Sequence, residues 1–385
     1  MNFAYHSVTA SRDALQMKIY QQQVQNFTFD LTAPEQAEKQ LVVLFIGETA
    51  RYDHWTINGY ERNTSPNMMR RKDQIVSFDS CYTIANLTTI CVPYLLSPAT
   101  PTTKKDFYLT KTLPEAFQEV GYKTAWIANQ SYNNTYLLRI AGTTDFMRYV
   151  GQDEKIIDEA LLPYLQEFIH DTACCEENQF AVVHSLGCHF DYSTRYTDSF
   201  QVFCPDMKGS FKKEIIESIF SIDTLRTRQN RVLINNLRPL FINSYDNALC
   251  YTDYILEQVI QMLEESGKSA VLVYISDHGE NLFDDKRNMF FHGTFNGSVY
   301  EYHVPLFVWT SEKFRTLYPE KMEVLQHNKQ KKISSMNIFH SLLDMQNIEG
   351  QIVRKEKSIF SPQLVSDSII YGLDANLNTI KLPIR

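Results

Sequence analysis

Several short apolar runs in this chain stop abruptly beside a glycine or an acid. Leu41–Ile46 is uninterrupted Leu, Val, Phe and Ile and ends in Gly47-Glu48-Thr49-Ala50-Arg51. Ala270–Ser276 is built the same way and ends in Asp277-His278-Gly279-Glu280. Lys123–Ala128, Gln179–Ser185 and Val304–Trp309 are further runs rich in β-branched and aromatic residues, so all five read as buried strands. Pro305 sits near the start of the last, where a strand tolerates it. Between them lie stretches of helical character: Thr112–Val120, Ile156–Ile169, Ser244–Glu265 and Ser335–Leu343. Tyr245–Leu263 has the clearest period, with Ala248, Leu249, Ile255, Leu256, Val259, Met262 and Leu263 recurring mostly at three and four. Gly267 stops it, and the Ala270 strand follows. Pro163 is expected to kink or interrupt the second helix. Helices alternating with continuous apolar strands predict an α/β fold around a mostly parallel sheet.

In such sheets ligands bind beyond the carboxyl ends of the strands. Two strand ends offering Glu48, Asp277 and His278 therefore predict a metal site, with zinc the best match to that donor set. Ser276 and Glu280 are placed to support the ligands. His292, in Phe290-Phe291-His292-Gly293, and His189, past the Gln179 strand, also stand at element ends beside glycine. His184 lies inside its strand and reads as structural. Thr88 and Thr89, in Asn86-Leu87-Thr88-Thr89-Ile90-Cys91-Val92-Pro93, are nucleophile candidates. A hydroxyl that opens a helix lies beside backbone N–H groups that stabilise phosphate charge. The plainer alternative is a helix N-cap.

The remaining composition narrows the setting. The chain has 385 residues, 44% hydrophobic and 21% charged, with a net charge of −8. That acidic balance argues against sequence-independent nucleic-acid binding. No apolar stretch is long enough to span a membrane, and Met1–Arg12 lacks a signal-peptide pattern. Residues 1–38 are polar and read as a lead-in helix and linker, with 39–385 as the folded unit. Cys204–Leu237 is charged and irregular and reads as an insertion over one edge of the site. Seven cysteines forbid complete intramolecular pairing. The cluster Cys174, Cys175, Cys188 and Cys204 allows one or two disulfides, or none if the thiols are simply buried.

Taken together, Gly47–Asp53, Asn58–Pro66, Tyr245–Ala248, Ser276–Glu280, His292-Gly293 and Val304–Trp309 resemble, in the same order, blocks of the phosphoethanolamine transferases that modify lipid A and confer polymyxin resistance. The resemblance runs from about Leu41 to Trp309, and its Asp-His-Gly-Glu block is shared with the wider alkaline phosphatase and sulfatase superfamily. It implies an alkaline-phosphatase-like α/β/α sandwich. It also implies a catalytic zinc held by Glu48, Thr88, Asp277 and His278, with Thr88 as nucleophile because it precedes Val92-Pro93 by the family's spacing. His189 and His292 would match histidines that bind the donor phosphate or a second zinc. The donor implied is phosphatidylethanolamine, and the acceptor lipid A or another envelope glycan. The location implied is the periplasmic face of the bacterial inner membrane, with a membrane domain ahead of this portion.

Three departures stand out. No Lys follows Asn129-Gln130-Ser131-Tyr132-Asn133-Asn134, so Asn129, Gln130 and Asn134 are the candidates to replace it near the substrate phosphate. The family's cysteine pairs do not align with Cys81 and Cys91. The membrane domain is absent from this sequence. The rival enzyme reading is a sulfatase whose Cys91 matures to formylglycine, although Leu95 stands where that motif has Arg; a phosphoglycerol transferase would share the chemistry. The non-enzymatic rival is a binding domain that keeps the fold without turnover.

Overall fold

A computed structural model describes residue 24 and residues 27–36, 38–104, 106–131, 134–151, 156–171, 177–208, 228–284, 286–294 and 296–384. The expected lead-in helix over 1–38 falls largely outside them.

The centre is a seven-stranded sheet. In chain order its strands are β1 (Gln40–Gly47), β2 (Ile75–Ser77), β3 (Lys123–Ala128), β4 (Phe146–Tyr149), β5 (Gln179–His184), β6 (Ser269–Ser276) and β7 (Leu306–Thr310). In space they run β2-β7-β6-β1-β5-β3-β4. Only β7 runs antiparallel to its neighbours. β1 is the middle strand, parallel to β5 on one side and to β6 on the other.

Every residue of β1 is buried, which is why its sequence shows no polar alternation. The alternation appears in packing instead. Leu41, Val43 and Phe45 join one core, and Val42, Leu44 and Ile46 join the other. Helices α3 (Leu162–His170) and α4 (Arg228–Glu265) cover the first face. Helices α1 (Thr88–Leu95), α2 (Leu113–Glu119) and α5 (Asn337–Met345) contribute to the second. The result is the α/β/α sandwich expected from the sequence.

The differences are local. Pro163 sits in the first turn of α3, after a 3-10 turn at Asp158–Leu161, so it opens the helix rather than breaking it. The helix expected over Ser244–Glu265 begins at Arg228 and carries Pro239 inside it, so of the described parts of the proposed insertion 228–237 is helical and 204–208 is irregular. Strands β2 and β4 were not foreseen. They are three and four residues long and lie at the two sheet edges, too short to print a pattern. No helix among the described residues is long and apolar enough to cross a membrane. Cys81, Cys91, Cys188, Cys204 and Cys250 are free thiols, so neither a Cys81–Cys91 nor a Cys188–Cys204 bond exists, while Cys174 and Cys175 lie outside the described residues.

Candidate active site

β1 and β6 end side by side, with Gly47 opposite Ser276 in the ladder. The next residue of each chain segment is an acid, so Glu48 and Asp277 emerge as neighbours from adjacent strands. One ligand atom each from Glu48, Asp277 and His278 lies within 4.8 Å of the others, and all three residues are buried. His278 Nε2 is 3.4 Å from Glu48 Oε1 and 3.4 Å from Asp277 Oδ2. Its Nδ1 lies 2.9 Å from the Gly279 carbonyl, which can only accept. That contact orients the ring and turns Nε2 toward the acids.

Thr88 completes the group. Its Oγ1 lies 3.2 and 3.1 Å from the two Glu48 carboxylate oxygens and 3.2 Å from His278 Nε2. Thr88 is the first residue of α1, and Leu87 is the N-cap without any side-chain cap bond. The hydroxyl is therefore not a helix cap. Thr89 is exposed.

Backbone detail holds these groups in place. Thr49 adopts a left-handed conformation (φ 61°). Its N–H donates to Asp277 Oδ1 at 3.1 Å and its hydroxyl donates to Glu48 Oε1 at 2.8 Å. Ser276 Oγ donates to the His278 carbonyl and accepts from Ala50 N–H, joining the two strand ends. Gly187 approaches so closely that a Cβ there would lie 2.8 Å from the Glu48 carbonyl oxygen. That approach explains a glycine after β5.

The electrostatics suit a cation site. Burial works to raise the Glu48 carboxyl, but His278, His189 and His292 and the Thr49 hydroxyl bring it below its usual value. Burial and the nearby Glu48 push Asp277 up. Asp277 Oδ2 is buried with no hydrogen-bond partner. Two acids, an imidazole nitrogen and a hydroxyl converge here, and one carboxylate oxygen has no hydrogen bond. This donor set fits a zinc ion.

Two more histidines border the group. The His292 ring lies 4.1 Å from that of His278 and 6.1 Å from that of His189. His292 Nδ1 pairs with buried Glu280 at 3.3 Å. Burial opposes the charge on His292, but Glu280 outweighs it and raises the ring to about 9. His184 is the last residue of β5, fully buried beside Trp126, and near enough to Asp277 for that acid to oppose the downward push of burial on its ring.

The three amides separate. Gln130 Nε2 donates to Glu48 Oε2 at 3.2 Å and to the Ser185 carbonyl at 2.7 Å, so it borders the site. Asn134 instead caps a helix, its side chain accepting from Tyr136 and Leu137 N–H. Asn129 Nδ2 donates to Asp158 at 2.9 Å. Asp158 in turn receives Leu186 and Gly187 N–H at 2.8 Å each. Asn129 thus supports the loop that presses on Glu48 rather than facing the opening.

Sequence reasoning also missed the ties to α4. Tyr245 OH donates to the Thr49 carbonyl and accepts from Arg51 N–H, at 2.8 Å each. Asp246 pairs with His54, Tyr60 and Arg62. Tyr245-Asp246 therefore binds the block after β1 and does not act in the site. Cys91 is fully buried; it accepts from Thr83 Oγ1 at 3.3 Å, and burial raises its thiol. The residue presented to the acids is Thr88.

Comparison with known proteins agrees with this fold. Phosphoethanolamine transferase EptC of Escherichia coli (strain K12) is 27% identical over 345 residues, covering 85% of this chain and 54% of its own length. Phosphoethanolamine transferase EptA of Helicobacter pylori is 27% identical over 314 residues, covering 78% and 52%. The chain thus spans about half the length of the curated relatives it matches. The C-terminal periplasmic domain of EptC from Escherichia coli, solved in complex with Zn, superposes with a TM-score of 0.75 at 24% identity, covering 89% of this chain and 92% of that one. The integral membrane protein lipooligosaccharide phosphoethanolamine transferase A from Neisseria meningitidis gives a TM-score of 0.72 at 24% identity, covering 93% and 64%. The family model described as Sulfatase matches residues 40–348, which takes in the ends of both β1 and β6. On that match, and with the fold and the convergence of Glu48, Asp277 and His278 agreeing, the chain belongs to the sulfatase family.

Proposed function

We propose that this chain is the catalytic portion of a zinc-dependent phosphoethanolamine transferase, with phosphatidylethanolamine as donor and an envelope glycan such as lipid A as acceptor. The observation that carries the reading is the Thr88 hydroxyl, 3.1–3.2 Å from both Glu48 oxygens and from His278 Nε2 at the start of a helix. Homology to enzymes that bear this activity by name supports it.

Glu48, Thr88, Asp277 and His278 would hold the zinc ion, which when bound supplies Lewis acidity and lowers the pKa of the hydroxyl. Thr88 Oγ forms a bond to the donor phosphorus. The bond from phosphorus to the glycerol oxygen breaks, and diacylglycerol leaves with that electron pair and a proton. Phosphoethanolamine remains on Thr88 until an acceptor oxygen attacks phosphorus and releases the hydroxyl. The first-turn N–H groups of α1 and the cationic His292, with His189 beside it, face the phosphate charge. Gln130 braces Glu48. The relatives named as periplasmic domains and as an integral membrane protein support a place on the periplasmic face of the inner membrane, with the membrane part outside this sequence.

Peptide mass spectrometry over residues 81–101, after incubation with phosphatidylethanolamine, tests this. A phosphoethanolamine adduct on Thr88 is the expected result. Formylglycine at position 91, or turnover without any Thr88 adduct, would overturn it.

A further inference from the structure

Asn86 stands two residues before Thr88, and Thr294 stands two residues after His292. Both reach one fully buried carboxylate, that of Glu301. Glu301 Oε2 accepts the Asn86 side-chain amide at 2.6 Å, and Oε1 accepts the Thr294 hydroxyl at 3.0 Å. Thr294 N–H lies a longer 3.5 Å from Oε2. The Asn86 amide also donates to the Thr294 carbonyl at 3.0 Å, so the two segments are tied directly as well. The backbone of Glu301 holds a third segment. Its carbonyl accepts the N–H of Gly279, the residue after His278, at 2.8 Å. A Cβ at Gly293 would lie 2.9 Å from the side chain of Leu87, so the loop after His292 presses on the opening of α1.

The plainer account of Glu301 is a helix cap. It is the third residue of a one-turn helix, Val299–Tyr302, with Ser298 as N-cap, and its Oε1 accepts Ser298 N–H at 2.9 Å. Together they form a capping box. The chain holds a second capping box for comparison, Thr112 with Glu115 at the start of α2. There the carboxylate is only partly buried. Among the described residues it accepts from Thr112, the N–H at 2.8 Å and the hydroxyl at 2.9 Å. A cap needs one acceptor site. Glu301 turns its other sites to Asn86 and Thr294, and a carboxylate buried this completely must be met by donors. The donors that meet it outside its own helix are the residues flanking Thr88 and His292.

We propose that Glu301 is a positioning residue, which holds the start of the nucleophile helix in register with the loop that carries His292. Neither α1 nor that loop belongs to the central sheet, so the sheet cannot set the distance between them. The carboxylate joins the two segments, and the backbone of Glu301 fixes both against the Gly279 turn. A nucleophile and the group that faces the phosphate must be in place together when phosphorus is attacked. A displacement of about 1 Å can lower a rate on the order of a hundredfold. The inference rests on the function proposed above and adds a residue that touches no reacting atom.

The test uses the full 385-residue chain loaded with zinc. Glu301→Gln keeps the shape but puts an amide nitrogen where one oxygen was. Whichever oxygen it replaces, that nitrogen faces a donor, the Asn86 amide or Ser298 N–H. The single-turnover rate of Thr88 adduct formation should fall by about ten- to a hundredfold, with half-saturating phosphatidylethanolamine within about twofold. Glu115→Gln, the same change in the other capping box, should leave the rate per folded molecule as it was. A loss confined to half-saturation, or an equal loss in Glu115→Gln, overturns the proposal. Asn86→Ala breaks the link from its other end and serves if Glu301→Gln does not fold. It should slow the reaction by a similar factor, and the double variant should be no slower than the slower single one. Losses that multiply overturn the proposal. Hydrogen exchange separates this inference from the reaction. Ile90 and Cys91 N–H both bond to the Leu87 carbonyl in the first turn of α1. They should exchange at least about tenfold faster in Asn86→Ala and Glu301→Gln, even if the chain transfers nothing. Faster exchange confined to residues 298–303 would make Glu301 a helix cap and overturn the proposal whatever the chain transfers.

Discussion

The strand ends at Glu48 and Asp277 and the flank around α5 are equally buried, yet they treat polar groups in opposite ways. At the strand ends two carboxyl groups are crowded together, Asp277 Oδ2 has no hydrogen bond, and Thr49 is in a left-handed conformation. On the flank, buried amide and ammonium donors are tied to backbone carbonyls, although the Asn328 Oδ1 acceptor, like Asp277 Oδ2, has no partner. Asn328 donates to the Ile359 and Ser361 carbonyls at 2.9 Å each. Asn337 donates to Lys357 O at 2.7 Å and accepts Ser334 N–H at 3.0 Å. Lys321 Nζ donates to the Asp344 carbonyl at 2.9 Å. The flank uses buried polarity to fix one arrangement of chain. The strand ends keep theirs available to a ligand and give up stability to do so.

The largest effect should come at the strand ends. Thr88→Ala should lower transfer by on the order of a thousandfold or more while thermal stability and metal content stay close to the parent. Steady-state rates with phosphatidylethanolamine and a melting curve check it. Equal losses of rate and stability would erase the distinction between the two regions.

The flank should respond instead to pH. Burial lowers His340 to about 4. The unfolded chain then binds a proton that the folded one refuses, so the contribution of His340 is intact above about 6.5 and is lost as pH falls toward 4. The loss should approach about 3 kcal/mol. His184, lowered to about 4 by burial, titrates in the same window. The difference between His340→Leu and the parent in urea unfolding, taken from pH 7 to pH 4, isolates the flank. An unchanged slope would mean that His340 is hydrated.

Asn328→Ala should destabilise by about 2–3 kcal/mol, because two buried carbonyls lose their donor. The rate per folded molecule should not change, and active-site titration of refolded protein decides this. Asp277→Asn sharpens the other side. Zinc affinity should fall by at least about a hundredfold by elemental analysis after dialysis. The metal-free variant should nevertheless be more stable to unfolding, by about 1 kcal/mol, and so melt higher, because an amide can donate where the orphaned oxygen cannot. A lower melting point would show that the acid pair is not strained.

The same contrast explains what could be read from the sequence. Glu48, Asp277 and His278 were legible because each follows a continuous apolar run and stands beside glycine. Thr88 was separated from Thr89 only by the resemblance, which implies a nucleophile four residues before Val92-Pro93. Asn129 and Asn134 were not separable from Gln130, because an amide that caps a helix and one that reaches a site look alike in sequence. The ties from Tyr245 and Asp246 to the block after β1, and from Asp158 to Gly187, join residues far apart along the chain and leave no spacing to read. Strands β2 and β4 were invisible for a different reason: three or four residues at a sheet edge carry too little periodicity.

The central position of β1 also has a biosynthetic consequence. Leu41–Ile46 leaves the ribosome well before its two partners, residues 179–184 and 269–276. At roughly 5–20 residues per second, the most apolar strand of the protein waits on the order of ten seconds or more for both neighbours. Throughout that interval it is a sticky, unpaired ribbon. Successful production of this protein should therefore depend more on what shields the nascent strand than on how stable the finished sheet is.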